Sequence, residues 1–372
     1  MPGGLPLHEP DPHNLFSAHQ LSRLRAHERF LAIDFVLRNI ALLVVLYLYA
    51  RRGAVLVRES AAGRVGTGML LAMLGLALVW IVQLPFDVAE LWWERRYHIA
   101  HQGYVEFVID DFFSLGGEFL FVSAAAAVVM GLAGPLRRTW WAAAVPVFVA
   151  FAALQAFAFP YLLSDLHRLE DPRLAADATR FARQEGVPSV HVYVERVHRY
   201  TTAPNAEAVG FGSTRRVILW DTLYAPGFTN RERRVVVAHE LGHHARHHIP
   251  KYIGWYALFV LPMALAVALA TRRRGGIYEP TSVPIVLLVL AVAQLVATPL
   301  QNAVSRRYET EADWMALRTT RDPAGDKALM RGLAAASLAD PKPPTWSYVL
   351  LADHPTITQR IALADAWAAR RR

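Results

Sequence analysis

Residues 233–248 read RRVVVAHELGHHARHH, and His239-Glu240-Leu241-Gly242-His243 within them is the stretch around which the chain can be organised. Two residues four apart on a helix lie one above the other on one face. Both imidazoles can therefore reach a single metal ion, and the Glu beside the first can address a water activated by that ion. Upstream, Thr229-Asn230-Arg231-Glu232 has capping-box spacing, which predicts a helix that starts there and carries Val235, Val236 and Val237 into the motif. His244, His247 and His248 follow directly, so the same letters would also suit a surface helix with a His-rich end.

A zinc site needs a third protein ligand and an open position. The pattern that continues with Gly and a third His is absent, because Arg246 and Ile249 stand at those places. The other solution is a Glu from a later helix, and SRRYETEAD at 305–313 supplies one. Glu309 and Asp313 lie one turn apart, so Glu309 can bind metal while Asp313 hydrogen-bonds a ligand His; Glu311 points to another face.

HELGH, SRRYETEAD, the upstream PNAEAVGFGSTRRVILWDTL at 204–223 and DHPTITQRI at 353–361 together resemble the type 1 CAAX prenyl protease family. Its members are integral-membrane zinc metalloendopeptidases of the gluzincin type, and this chain looks like a bacterial homologue. LPFDVAELWWERRYHI at 84–99 extends the resemblance, which runs from about Leu84 onward. It implies a helix-enclosed chamber that Asp87, Glu90 and Glu118 could line. It also implies an edge strand bearing Asn205 and Ala206 that pairs with the substrate backbone, and catalytic roles for His354 and Arg360, donor types that can stabilise an oxyanion. Glu207 departs from the family, which usually has an aromatic residue there.

Composition agrees with a membrane protein. The 372 residues are 54% hydrophobic, with a mean hydropathy of +0.23, too apolar for an ordinary soluble enzyme. Cysteine is absent, which excludes a disulfide framework, thiolate zinc ligands and a cysteine nucleophile. The net charge of +8 clusters beside apolar runs, where anionic headgroups attract it, so no nucleic-acid partner is expected.

Residues 1–28 read as a polar tail without a cleavable signal. Residues 29–163 read as a membrane module with apolar runs at about 30–50, 69–86, 112–132 and 140–163; Asp34 and Arg38 lie one turn apart in the first. Residues 164–372 read as a zinc metallopeptidase domain. Asp171-Pro172 starts a helix that Gly186 closes, and strands are expected at 190–194, 206–210 and 217–220. A transmembrane hairpin at about 252–300 separates His243 from Glu309, and its two crossings return the chain to the side it left. The fold expected is a mainly α integral membrane protein with about six transmembrane helices and a zincin-like α+β domain interrupted by that hairpin.

The function expected is hydrolysis of membrane-associated or CAAX-type prenylated polypeptides, with one Zn(II) per chain held by His239, His243 and Glu309 and with Glu240 as general base. A zinc-binding sensor without turnover and a transporter are the alternatives. Arginines near the membrane ends divide between the faces: Arg51, Arg52, Arg58, Arg64, Arg137, Arg138 and Arg272 to Arg274 lie opposite the peptidase parts, and a larger set lies beside them. The resemblance implies a catalytic face toward the cytoplasm of a bacterial membrane.

Overall fold

A computed structural model describes residues 7–56, 63–188 and 190–370. The first six residues of the expected tail, Arg58, Arg371 and Arg372 lie outside them. Four long helices come first: α1 (Ala18–Arg52), α2 (Gly63–Arg96), α3 (Tyr104–Leu136) and α4 (Trp140–Leu162). The peptidase part follows with β1 (Leu166–Arg168), α5 (Pro172–Glu185), β2 (His191–Glu195), β3 (Ala206–Val209), β4 (Arg216–Trp220) and α6 (Asn230–Ala245). Helices α7 (His248–Thr271) and α8 (Val283–Thr320) form the hairpin, and α9 (Pro323–Ala336), α10 (Thr345–Leu351) and α11 (Ile357–Ala369) complete the chain.

Among the described residues six helices are long and apolar enough to cross a bilayer, namely those of the four expected runs and of the hairpin. All but α4, which ends one residue before its expected run does, outlast their apolar runs, because the polar ends remain helical beyond them. The tail expected over 1–28 is corrected at this point. Ser17 and Gln20 form a capping box that starts α1 at Ala18, and Phe16, Leu21 and Leu24 pack against Ile99, Ala334 and Leu338. A few apolar residues on one side of a helix vanish in an average over composition. Inside the membrane module Arg38 lies 3.3 Å from Asp34, as their spacing predicts, and also meets Asp87 at 2.8 Å and Glu90 at 3.2 Å on α2.

The sheet has the order β1-β2-β4-β3, with β2 and β4 parallel and the other two pairings antiparallel. The three expected strands are present; β1, three residues long, is too short to carry an alternation signal. Val217 and Leu219 of β4 bury against Phe181 of α5 and Val235, Val237 and Leu241 of α6. That core fixes α6 beneath the sheet. Asp171 receives the N–H groups of Arg173 and Leu174 at the start of α5, and Gly186 closes that helix at φ 69°, as expected.

Candidate metal centre

Helix α6 starts where the capping box predicts, with the Thr229 hydroxyl accepting from the Arg231 N–H and the Glu232 carboxylate accepting from the Thr229 N–H at 2.8 Å. It then crosses α8 closely at Gly242. A Cβ at that position would lie 3.0 Å from Met315 Cβ and 3.3 Å from Ala312 Cα. The missing side chain therefore lets Glu309, one turn before Ala312, come up to the two histidines.

His239 Nε2 lies 3.1 Å from His243 Nε2 and 3.1 Å from Glu309 Oε2, and His243 Nε2 lies 3.4 Å from Glu309 Oε1. A tetrahedral ion with bonds of about 2.0–2.1 Å separates its donors by about 3.3 Å, so these three fit one ion of zinc's size. All three residues come from the sequence motifs, although 70 residues and a membrane hairpin separate His239 from Glu309.

Each histidine is oriented from behind by a different chain of contacts. His239 Nδ1 is 2.9 Å from Asp313 Oδ1, and Arg360 clamps that carboxylate through Nε at 2.8 Å and Nη2 at 2.5 Å. Arg360, expected to serve the oxyanion, thus lies behind His239 with Nε and Nη2 on Asp313, a place from which it can hold that carboxylate. His243 Nδ1 is 3.0 Å from His248 Nδ1, and His248 Nε2 is 3.4 Å from Glu311. His248 is fully buried and stacks on Tyr308 with ring centroids 4.4 Å apart.

Sequence reasoning misses the roles of His248 and Glu311. The contact depends on His247 adopting a left-handed conformation (φ 54°) that turns His248 back toward the motif, and no spacing rule announces such a bend. The only signal is a histidine five positions beyond His243.

His354 sits at the mouth of the site, Nε2 3.2 Å from Glu309 Oε2 and Nδ1 2.7 Å from Asp353 Oδ1. Burial works against its charge, but the two carboxylates outweigh it and raise the ring to about 9. His239 behaves alike: burial opposes the charge, while Asp313 and Glu309 carry the ring up to about 10, so a cation entering here displaces a proton. Burial drives His243 the other way, down to about 3, and keeps it a neutral donor. Burial pushes Glu240 up to about 7, a value suited to passing protons near neutrality.

His239, Glu240, Asn205, Ala206 and His354 share a cleft of about 300 Å³, walled on one side by Leu223, Leu329 and Leu333. Asn205 and Ala206 thus lie beside the donors, and Asn205 Nδ2 donates to Glu207 Oε1 at 3.3 Å.

Residues 168–368 match the model of peptidase family M48. An uncharacterized metalloprotease, YhfN of Bacillus subtilis, is 25% identical over 301 residues, covering 77% of this chain and 70% of its own. A probable CAAX prenyl protease 1 of Schizosaccharomyces pombe is 26% identical over 251 residues, 63% of this chain and 52% of that protein. In three dimensions the crystal structure of S. mikatae Ste24p superposes with a TM-score of 0.77 over 97% of this chain and 92% of its own, at 15% identity, so the fold is shared. The expected resemblance is borne out. With a family match over more than half its length, the chain belongs to peptidase family M48, as a multi-pass integral-membrane metalloendopeptidase.

Proposed function

We propose that the chain hydrolyses internal peptide bonds with one Zn(II) held by His239, His243 and Glu309 and with Glu240 as general base. The observation that carries this reading is the convergence of the three donors at 3.1 to 3.4 Å beside a buried carboxylate, in a cleft that opens on an unpaired strand edge. When bound, zinc supplies a Lewis acid that polarises the scissile carbonyl and acidifies a water molecule.

The protein's own groups do the rest. Ala206 and Ala208 present main-chain groups at the outer edge of β3, so an extended substrate can add there as a further strand, while Asn205, whose carbonyl accepts from the Trp220 N–H at 3.0 Å, offers its side-chain amide beside it. Glu240 takes the proton of the attacking water on its carboxylate and returns it to the leaving amine. Protonated His354, half exposed at the mouth of the cleft, is the donor we assign to the developing oxyanion, its Nε2–H passing from Glu309 to the substrate. Arg360 and Asp313 hold the His239 ring with Nε2 toward the ion.

The substrates we infer are membrane-associated polypeptides, CAAX-type prenylated ones among them. The name of the S. pombe relative and the multi-pass membrane region support that class. The family resemblance likewise favours a catalytic face toward the cytoplasm of a bacterial membrane. We divide the chain accordingly into a membrane module up to about residue 163 and a peptidase domain from 164 that contains the hairpin. Metal content of Glu309→Ala tests the ligand set. Less than one-tenth of the wild-type zinc is expected after dialysis, and full zinc content would remove Glu309 from it.

A further inference from the structure

The strand that borders the cleft carries a carboxylate that the chemistry above does not use. Glu207 is the second residue of β3 and pairs in register with Ile218. Ala206 and Ala208 lie opposite Leu219 and Val217, which point into the core beneath the sheet. Alternation therefore sends Glu207 to the other face of the sheet. It is half-buried, and its charge is felt at Glu240 and at Glu195 on β2. Among the described residues its one hydrogen bond comes from a neutral amide, Asn205, and it has no ion pair.

Among the described residues β3 is paired with a strand on one side only. β3 ends the sheet order, Ala206 opens on the cleft, and Ala208 and Val209 open on a second cavity of about 290 Å³ shared with Ala152, Ala156 and Phe159 of α4. A peptide strand can thus run along β3 from one cavity to the other.

We propose that Glu207 is a specificity-determining residue that selects Lys or Arg at the substrate position lying across from it. The inference rests on the peptidase reading. In a paired strand the residue opposite Glu207 projects to the same face, with its Cβ about 5 Å from that of Glu207. A basic side chain there meets a carboxylate that burial has partly stripped of water and that no cation among the described residues neutralises. An acidic side chain meets the like charges of Glu207 and Glu195. Neighbouring substrate residues point to the other face, toward the Leu223 and Leu333 wall, and so are sorted by a different property.

The test uses zinc-loaded, full-length protein in detergent and internally quenched peptides in which Lys, Gln or Glu is walked through each position around the scissile bond of one neutral sequence. Mass spectrometry fixes the cut site. At one position Lys is expected to raise kcat/KM over Gln by about five- to tenfold at low salt, and less at high salt. The Lys-to-Gln ratio is expected to fall to about one in Glu207→Gln, and Glu is expected to become the preferred residue in Glu207→Lys. These are ratios within one variant, so a general loss of activity does not imitate them. Cleavage without a charge preference, or a Lys preference that survives Glu207→Lys, overturns the inference and leaves the peptidase reading standing. If zinc-loaded wild type cuts none of the peptides, the peptidase reading fails and the inference falls with it.

Discussion

Two groups of charges are drawn together from distant parts of this chain, and they are built differently. At the metal centre the signs alternate: Arg360, Asp313, His239, Glu309 and His354 form a row in which each carboxylate lies between two cations or potential cations. In the membrane module a single guanidinium, Arg38, meets three carboxylates, Asp34, Asp87 and Glu90. The first arrangement fixes side-chain orientation for chemistry, because the inner members of the row are held from two sides. In the second, one guanidinium links α1 to α2 and is the cation that three carboxylates share, so it contributes to the packing of the module.

Removing an inner carboxylate of the row breaks the comparison hardest. Asp313→Ala leaves Arg360 buried without a partner and frees the His239 ring, so it is expected to weaken zinc affinity by about 10- to 100-fold and to destabilise the fold by about 3–5 kcal/mol. Competition with a chelator and thermal unfolding in detergent measure the two effects. Arg38→Met is expected to cost about 2–3 kcal/mol of stability and to leave zinc stoichiometry at one per chain, because its contacts are confined to the membrane module. A loss of zinc in that variant would show the two groups to be linked.

Asp326 sharpens the contrast from the side of the metal centre. It is buried on α9 with Oδ2 unpartnered, and burial together with the charge of Asp313 raises its carboxyl to about 8. An acid whose pKa is higher folded than unfolded binds more protons in the folded state between those two values. The contribution of this group to stability therefore falls as pH rises from about 4 to about 8 and is level above that. Asp326→Asn is expected to flatten this slope and to raise stability at pH 8 by about 2 kcal/mol, visible as a higher Tm at pH 8 than wild type. The smallest effect concerns helix approach. Gly242→Ala must shift Met315 or Ala312 by a few tenths of an ångström, for an expected cost of about 1 kcal/mol and a loosened zinc site.

The same contrast shows what is legible in the sequence. His239, Glu240 and His243 lie within one helical turn or so, and Glu309 and Asp313 within another, so periodicity and caps are enough to place both sets. The six spans are readable for the same reason, since each is a continuous run. Contacts that depend on two distant helices are not. Asp34 and Arg38 announce themselves by their spacing, whereas nothing around Asp87 and Glu90 reveals that they meet the same guanidinium. Arg360 is nominated by the motif around it, yet its role depends on the bidentate bond to Asp313, which only tertiary geometry supplies. His248 escapes because a single left-handed residue, His247, redirects the chain.

The central claim is that the buried carboxylate beside the donors makes this centre a peptidase. The most direct measurement is cleavage of an unstructured, internally quenched peptide by purified wild type and Glu240→Gln, each with its zinc content determined and with or without a chelator. The account predicts chelator-sensitive cleavage by wild type, and at least a roughly 1,000-fold lower rate, of the order lost with a general base and its proton transfer, in a variant that retains one zinc. Cleavage by Glu240→Gln at a rate near wild type, or cleavage indifferent to the chelator, would contradict it.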